Sequence, residues 1–377
     1  MTHRLICLFL FAISQNLLAQ DPAGFLFNQH GSVFNPALAG ASGSQSVSLA
    51  YRQEWINQRD PGYHTALLTY EESMPCSILD FGINALWDQE GDGLLTTYEV
   101  SPRVSANLSL VRSHDRQINL RLGGGFSIGR QRITFDRLVF SDQLDPKYGN
   151  IFPTTFIPPD EEAGRSYFQP ALGFLLQMVL NKMAHNALVV NIGASYHNAY
   201  SFGNGNEVGY GKSILGLIAP QSPRFAAHGD LVIVPGSSQS GFISIKPVVL
   251  YEKQQNLHYL QYGLEFGLDN FATIGGYMHQ QKFFNLKDNT NWFSLGTVFK
   301  PYIGKGRADF YLTYSFNISG LRQTVSPLLE IGFKKHFKSS FVCRLTGEED
   351  LYNFNNTKCP LFKVSPAKRK IYENIWY

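Results

Sequence analysis

Five residues of the sequence are spaced as a cation-binding loop would need them. Asp88, Glu90, Asp92, Gly93 and Glu99 fall at the first, third, fifth, sixth and twelfth positions of a calcium loop. Glu at the third position departs from that pattern, and the flanks read as strands where a calcium loop of this kind has helices. The plainer reading is an acidic, glycine-containing hairpin turn. Asp142 with Asp145, and the run Asp160-Glu161-Glu162, are the pairs that could share acid and base roles in a hydrolysis. Both lie among Pro and Gly with no His suitably placed, and read as a solvated loop. The ten His are scattered, with no HExxH and no Ser-His-Asp order. Gly123-Gly124-Gly125 lacks the GK[ST] of a phosphate loop and lies within a strand pattern, where glycine relieves crowding or bends the wall. No catalytic, cofactor or metal residue is assigned, and the chain reads as a non-enzyme.

Composition sets what could position such residues. The 377-residue chain carries 29 Phe, 19 Tyr and 4 Trp, so aromatics reach 14%, while charged residues are only 16%. Average chains carry about 25% charged residues, so coiled coils and disordered chains are excluded. The slightly negative mean hydropathy excludes a helical membrane bundle of this length. A net charge of +3 is too small and too dispersed for a nucleic-acid partner. A large all-β protein remains.

The first twenty residues, MTHRLICLFLFAISQNLLAQ, place a short basic start before an apolar stretch and a small residue, Ala19. That layout predicts a signal peptide over 1–19, too short to span a bilayer as a helix. Its removal deletes one Arg and no acid, leaving +2 from the +3 of the whole chain. Cys76, Cys343 and Cys359 then remain, too widely spaced for zinc or a disulfide framework. Cys343 and Cys359 are the candidates for a single bridge.

Beyond the leader, segments of about ten residues alternate apolar and polar between turn residues, the period of a half-buried strand. Val47, Leu49 and Tyr51 share one face, as do Phe81, Ile83, Ala85 and Trp87. Leu188, Val190, Ile192, Ala194 and Tyr196 share another, and so do Phe310, Leu312, Tyr314 and Phe316. Read this way, strands fall near 44–54, 62–71, 79–87, 94–108, 115–128, 167–179, 186–197, 225–235, 241–253, 257–269, 270–282, 290–299, 307–316 and 326–337. About fourteen strands of this length after a signal peptide predict a transmembrane antiparallel outer-membrane β-barrel. Apolar faces would meet lipid, small and polar faces would line the lumen, and Trp55, Trp87, Tyr98, Tyr196, Tyr200, Trp292 and Tyr302 would form interfacial girdles.

Connection lengths agree with that reading. The two longest, 129–166 and 198–224, follow the fifth and seventh strands and so lie on one side, the outside if the N-terminus is periplasmic. The domain plan is a signal peptide over 1–19, a periplasmic segment over 20–43, the barrel over 44–340 and a periplasmic tail over 341–377. Residues 21–43 are expected to pack under or into the barrel, or else simply to turn the chain into the first strand. Arg121, Arg130 and Arg132 point inward or to loops, which leaves an anion-selective lumen open. A secreted β-sandwich or propeller also alternates, but no repeat of propeller length is present.

Several segments resemble one family. Asn35-Pro36-Ala37-Leu38-Ala39-Gly40 is similar to the NPAxAG motif near the mature N-terminus of the PorP/SprF family, and Tyr51-Arg52-Gln53-Glu54-Trp55 to its YRxQW. Phe140-Ser141-Asp142-Gln143-Leu144-Asp145-Pro146 resembles its FxDQxD stretch, and Cys359-Pro360-Leu361-Phe362 its C-terminal CPxF. The order of the polar residues before Trp55 is unusual, and residues 363–377 run past the usual end. The resemblance implies an outer-membrane component of the type IX secretion and gliding-motility machinery of Bacteroidetes. It implies that such a barrel supports export or surface anchoring of sorting-domain proteins. The implied partners are such an exported protein, a periplasmic peptidoglycan-binding lipoprotein and outer-membrane lipid. A channel for small solutes is the alternative.

Overall fold

In the computed structural model the chain closes into a fourteen-strand antiparallel barrel. The residues described are 27, 29–43, 45–56, 62–74, 77–91, 95–113, 116–157, 166–180, 188–198, 222–233, 243–268, 271–281, 291–303, 306–319, 327–337 and 340–342. The leader, Cys76, Cys343, Cys359, Pro360 and Phe362 lie outside them, as do Asp92, Gly93, residues 160–162 and Tyr200. The barrel strands are β1 Gln45–Glu54, β2 Tyr63–Ser73, β3 Leu79–Glu90, β4 Leu95–Arg112, β5 Gln117–Arg132, β6 Ser166–Leu180 and β7 Leu188–His197. They continue as β8 Arg224–Ile233, β9 Ile243–Gln254, β10 Leu257–Leu268, β11 Ala272–Gln280, β12 Trp292–Phe299, β13 Gly306–Asn317 and β14 Leu328–Phe337.

Each strand pairs with its sequence neighbours, and β1 closes the ring on β14, with Leu49 opposite Phe333 and Tyr51 opposite Ile331. Closure matters because an open edge would leave amide and carbonyl groups unpaired in hydrocarbon, at several kcal/mol each. The period-2 pattern decides which way each side chain points. Leu49, Val100, Leu122, Ile128, Leu172, Ile192, Leu312 and Ile331 all stand exposed on the outer wall, while Ser48, Asn84, Ser101, Asn119, Gln177, Asn191 and Thr313 are buried inside. An apolar band on the outside of a closed barrel has lipid as its complementary solvent.

The strands β3, β4 and β5 run three to four residues past their expected ends, to Glu90, Arg112 and Arg132. Their ladders continue through polar residues such as Asp88 and Arg132, opposite Thr97 and Thr96. Hydrophobic alternation had ended there, but backbone pairing needs no apolar side chain. A bulge between Ser109 and Val111 lets β4 bend against β5.

The lumen departs from the expected lining of small and polar residues. Leu67, Leu175, Leu250 and Val298 point inward and are buried. They are covered by the chain's own N-terminal segment, which enters the barrel as a one-turn helix α1, Gly31–Phe34, and a 3-10 turn, Pro36–Leu38. Phe27, Phe34, Ala37, Leu38 and Ala41 of that segment pack with Leu175, Ala226 and Leu250 in one buried cluster. Val33 bridges this cluster to a second, formed by Ala50, Leu67, Val298 and Tyr311. Apolar residues inside a mostly polar barrel thus mark where an apolar plug sits.

Candidate functional site

The plug is held by a motif that works as an anchor. Asn35 has extended backbone, as a residue before proline prefers, and Pro36 opens the 3-10 turn, where its missing amide costs nothing. The Asn35 side-chain oxygen accepts from the Ala37 amide at 2.9 Å, capping that turn. Its Nδ2 donates to the Phe174 carbonyl of β6 at 2.9 Å and lies 2.9 Å from His228 Nε2 on β8. One buried amide therefore ties the plug to two strands.

Arg121 on β5 supplies the opposite grip. Its Nε donates to the Ala37 carbonyl at 2.9 Å and its Nη2 to the Ala39 carbonyl at 2.7 Å. The same Nη2 lies 2.9 Å from Asp80 Oδ2 and 2.8 Å from Ser105 Oγ. Ser105 Oγ also donates to the Ala39 carbonyl at 2.8 Å, and Asp80 accepts from the Met74 amide at 2.7 Å. Arg121 and Asp80 are both completely buried. A buried pair is tolerated only when most of its remaining hydrogen-bonding capacity is met, and here the plug's own carbonyls take Nε and Nη2 while Nη1 has no hydrogen-bond partner among the described residues.

Backbone shape completes the fit. A Cβ on Gly123 of β5 would lie 2.1 Å from the Ala37 nitrogen, and one on Gly173 of β6 would lie 2.1 Å from Asn35 Oδ1. The plug's backbone therefore rests directly on β5 and the Asn35 and Pro36 side chains on β6, and Gly123, the first of the triple glycine, is explained by close approach. Gly40 has φ +68, and a side chain there would meet Asp80 and the Glu72 carbonyl. Further along the plug, Ser195 donates to the Phe34 carbonyl at 2.5 Å, and His197 Nε2 lies 2.7 Å from the same oxygen. His30 Nε2 is 2.5 Å from the Tyr311 hydroxyl on β13.

The other motif residues lie elsewhere. On β1, Tyr51 faces outward and its hydroxyl lies 2.7 Å from His64 Nδ1. Arg52 faces the lumen and pairs with Glu54 at 2.7 Å. Trp55 ends the strand with a φ of 56 and sets its indole edge-on to Tyr63, with ring centroids 4.5 Å apart. These three therefore belong to the barrel wall and to its outer rim, not to the plug.

Asp142, Gln143 and Asp145 build the loop between β5 and β6. Gln143 Oε1 accepts from the Phe140 amide at 2.8 Å, while its carbonyl accepts from Ile151 at 3.1 Å. Asp145 accepts from the Lys147 and Tyr148 amides at 2.7 and 2.9 Å, turning a two-stranded ladder of Leu144–Asp145 with Gly149–Asn150. Asp142 reaches across the loop to the Thr155 amide at 2.6 Å and the Thr155 and Thr154 hydroxyls. Phe140 stacks on Phe156, with centroids 4.6 Å apart. The candidate carboxylates are thus spent on loop architecture. Among the described residues no group of three or more His, Cys, Asp and Glu is arranged to hold a metal.

The Thr155 amide, and next its hydroxyl, hold the Asp142 carboxylate below its ordinary pKa. A depressed carboxylate contributes stability that is present above the ordinary value and is lost as pH falls through the folded one. Asp142→Ala removes those acceptors altogether. Limited proteolysis of the purified barrel is expected to cut within 146–157 several-fold faster in this variant, and the barrel itself to remain intact; unchanged cutting would show that the loop holds without Asp142.

The spacing that suggested calcium is resolved differently. Asp88 faces inward and accepts from Thr65 at 2.7 Å, and Glu99 sits on β4, accepting from Ser101 and Tyr167 at 2.9 and 2.7 Å. Of the three arginines, Arg121 points in, whereas Arg130 and Arg132 stand exposed on the outer face of β5. The plug contacts were not legible beforehand, because Arg121 and Asp80 are far from residues 35–40 in sequence. The inward Leu67, Leu175 and Leu250 were the available signal.

A closed barrel with an apolar outer band and a plugged lumen is an integral outer-membrane protein. The chain belongs to the PorP/SprF family, described as "Type IX secretion system membrane protein PorP/SprF", which matches residues 17–341. No curated protein matches the sequence. Solved structures share the barrel fold at low identity. The CymD monoaromatic hydrocarbon channel is 12% identical with a TM-score of 0.40, covering 84% of this chain and 95% of that one. The Ralstonia pickettii toluene transporter TbuX is 11% identical with a TM-score of 0.37, covering 85% and 96%. The Acinetobacter baumannii outer membrane protein Omp33 is 9% identical with a TM-score of 0.34, covering 79% and 100%.

Proposed function

We propose that this chain is a non-enzymatic anchor of the type IX pathway, which holds an exported sorting-domain protein at the outer cell surface. The observation that carries this reading is the built loop between β5 and β6. It is cross-linked by Asp142, Gln143 and Asp145, yet it leaves Tyr148, Ile151, Phe152 and Ile157 exposed. Ile157 is 88% exposed. Rigid, apolar, outward-facing side chains at the end with the long connections are suited to a protein surface, since preordering a loop lowers the entropic cost of binding. The lumen supports the same reading, because residues 30–42 pack across it and leave the loops as the surface to use.

On this reading the end that carries the plug's entry faces the periplasm. There Ser340 donates to the buried Glu72, and Lys334 pairs with Glu71 at 3.4 Å, which ties the start of the C-terminal segment to β2. The tail beyond it would engage the peptidoglycan-binding lipoprotein, and gliding motility would depend on that link.

Deleting residues 133–162 joins β5 to β6 by a short linker. The barrel is expected to fold and reach the membrane, and surface retention of one exported protein to be abolished, as read by comparing surface and secreted proteomes. Unchanged retention would overturn the role of the loop. Discrete conductance steps from the wild-type barrel in planar bilayers would instead favour the solute channel.

A further inference from the structure

The outer wall carries a hollow that neither the plug nor the loops use. Its volume is about 530 Å³, and it lies on the lipid-facing side of β1 to β5. Ala66 of β2 and Ala85 of β3 line it with methyl groups, while Trp87, Tyr98 and Ile128 surround them. The register explains the depression: Ala66 lies opposite both Tyr51 and Trp87, and Ala85 lies opposite Leu68. Small residues between large ones leave a gap in a wall that is otherwise filled.

One end of the hollow is cationic. Arg130 lines it directly, opposite Tyr98, and Arg132 follows on the same outward face, opposite Thr96. Both are exposed, and both lie at the end of β5 that leads into the longest loop. Below them on the same face, Leu122, Phe126 and Ile128 are apolar and exposed. Along one strand the outer surface therefore passes from hydrocarbon-like to guanidinium within two residues, as it would where acyl chain gives way to headgroup. Arginine's planar fork is matched to phosphate, which it can hold with two parallel hydrogen bonds.

We propose that this hollow binds one phosphate-bearing lipid of the outer leaflet, with an acyl chain against Ala66 and Ala85 and the phosphate on Arg130 and Arg132. Trp87 and Tyr98 flank the boundary, where amphipathic rings are favoured. The site is specific in a way that general lipid contact is not, because it joins a hollow to two successive cations on one face of β5.

The test uses the full-length barrel purified in mild detergent, with bound lipid read by native mass spectrometry and phosphorus analysis. Wild type is expected to retain about one phosphorylated lipid per barrel. Ala85→Trp fills the hollow and is expected to lower retention at least tenfold. The pair Arg130→Glu and Arg132→Glu leaves the hollow intact and is expected to lower retention of phosphorylated lipid by a similar factor. Ala194→Trp, on the outer face of β7, is the control and is expected to change nothing. Folding of each variant is checked by the heat-dependent shift in gel mobility. The proposal is overturned if retention survives both changes, if Ala194→Trp lowers it equally, or if the retained lipid carries no phosphate. It is also overturned if a protein, and no lipid, leaves with Ala85→Trp.

Discussion

Arg121→Met is expected to destabilise the barrel by about 3–5 kcal/mol, because it leaves a buried carboxylate without its cation. Asp80 is completely buried and has Arg121 at 2.9 Å. The Ala37 carbonyl loses its guanidinium donor at the same time, and the Ala39 carbonyl keeps only Ser105. Asp80→Asn in the Arg121→Met background removes the stranded charge and keeps an oxygen for the Met74 amide, 2.7 Å away. The double variant is therefore expected to regain part of the lost stability, though not the plug contacts. Urea unfolding of refolded protein in micelles measures both. A loss from Arg121→Met below about 1 kcal/mol, the range of exposed pairs, would mean that water reaches the pair and that the plug is not sealed there.

Gly123→Leu separates plugging from closure of the barrel wall. An added Cβ would lie 2.1 Å from the Ala37 nitrogen and 2.3 Å from the Pro36 carbonyl carbon. Both are backbone atoms of a packed turn, which cannot give way as the end of a flexible side chain can. The barrel strands, by contrast, keep their own ladder, with Gly123 opposite Ser105 and Gly173. The expected result is a folded barrel with residues 30–42 displaced from the lumen. In planar bilayers the wild type is expected to show no steady conductance, and Gly123→Leu to show steps of nanosiemens order, as a wide aqueous lumen would. Proteolysis should also reach the N-terminal segment in the variant alone. If wild type and variant conduct equally, the plug does not close the barrel, and a channel role becomes the better account.

The two variants test one coupling. The motif Asn35-Pro36-Ala37-Leu38-Ala39-Gly40 does not build a turn for its own sake. It presents two carbonyls to Arg121 and an amide to β6 and β8. Movement of this segment would expose the inward Leu67, Leu175 and Leu250, which a water-filled lumen would not tolerate without cost. The plug is thus a part of the core as well as a closure.

Much of the fold was legible in the sequence because the physics that sets it is local. Alternation at Val47, Leu49 and Tyr51, or at Phe310, Leu312 and Tyr314, fixes a face for each strand, and one side of each strand must be apolar to meet lipid. Turn residues and connection lengths then order the strands, and antiparallel neighbours follow from short links. The ring closure of β1 on β14 is the solution that leaves no edge. The ends of β3, β4 and β5 were read short for a complementary reason: beyond the bilayer the alternation ceases although the ladder does not.

The functional surfaces were less legible because they depend on residues distant in sequence. Nothing local in Arg121 or Asp80 says that they meet, or that Gly123 makes room for Ala37; only closure of the barrel brings them together. Asp142 and Asp145 looked like candidates for chemistry, and the folded loop uses both as acceptors for backbone amides. Arg121, Arg130 and Arg132 lie on one strand with the same charge, yet the first grips the plug and the others face the membrane. The sequence by itself determined a lipid-facing barrel and the direction of nearly every side chain in its wall, since period and polarity act strand by strand. The tertiary structure alone decided what fills the barrel, because a lumen has contents only once its wall has closed.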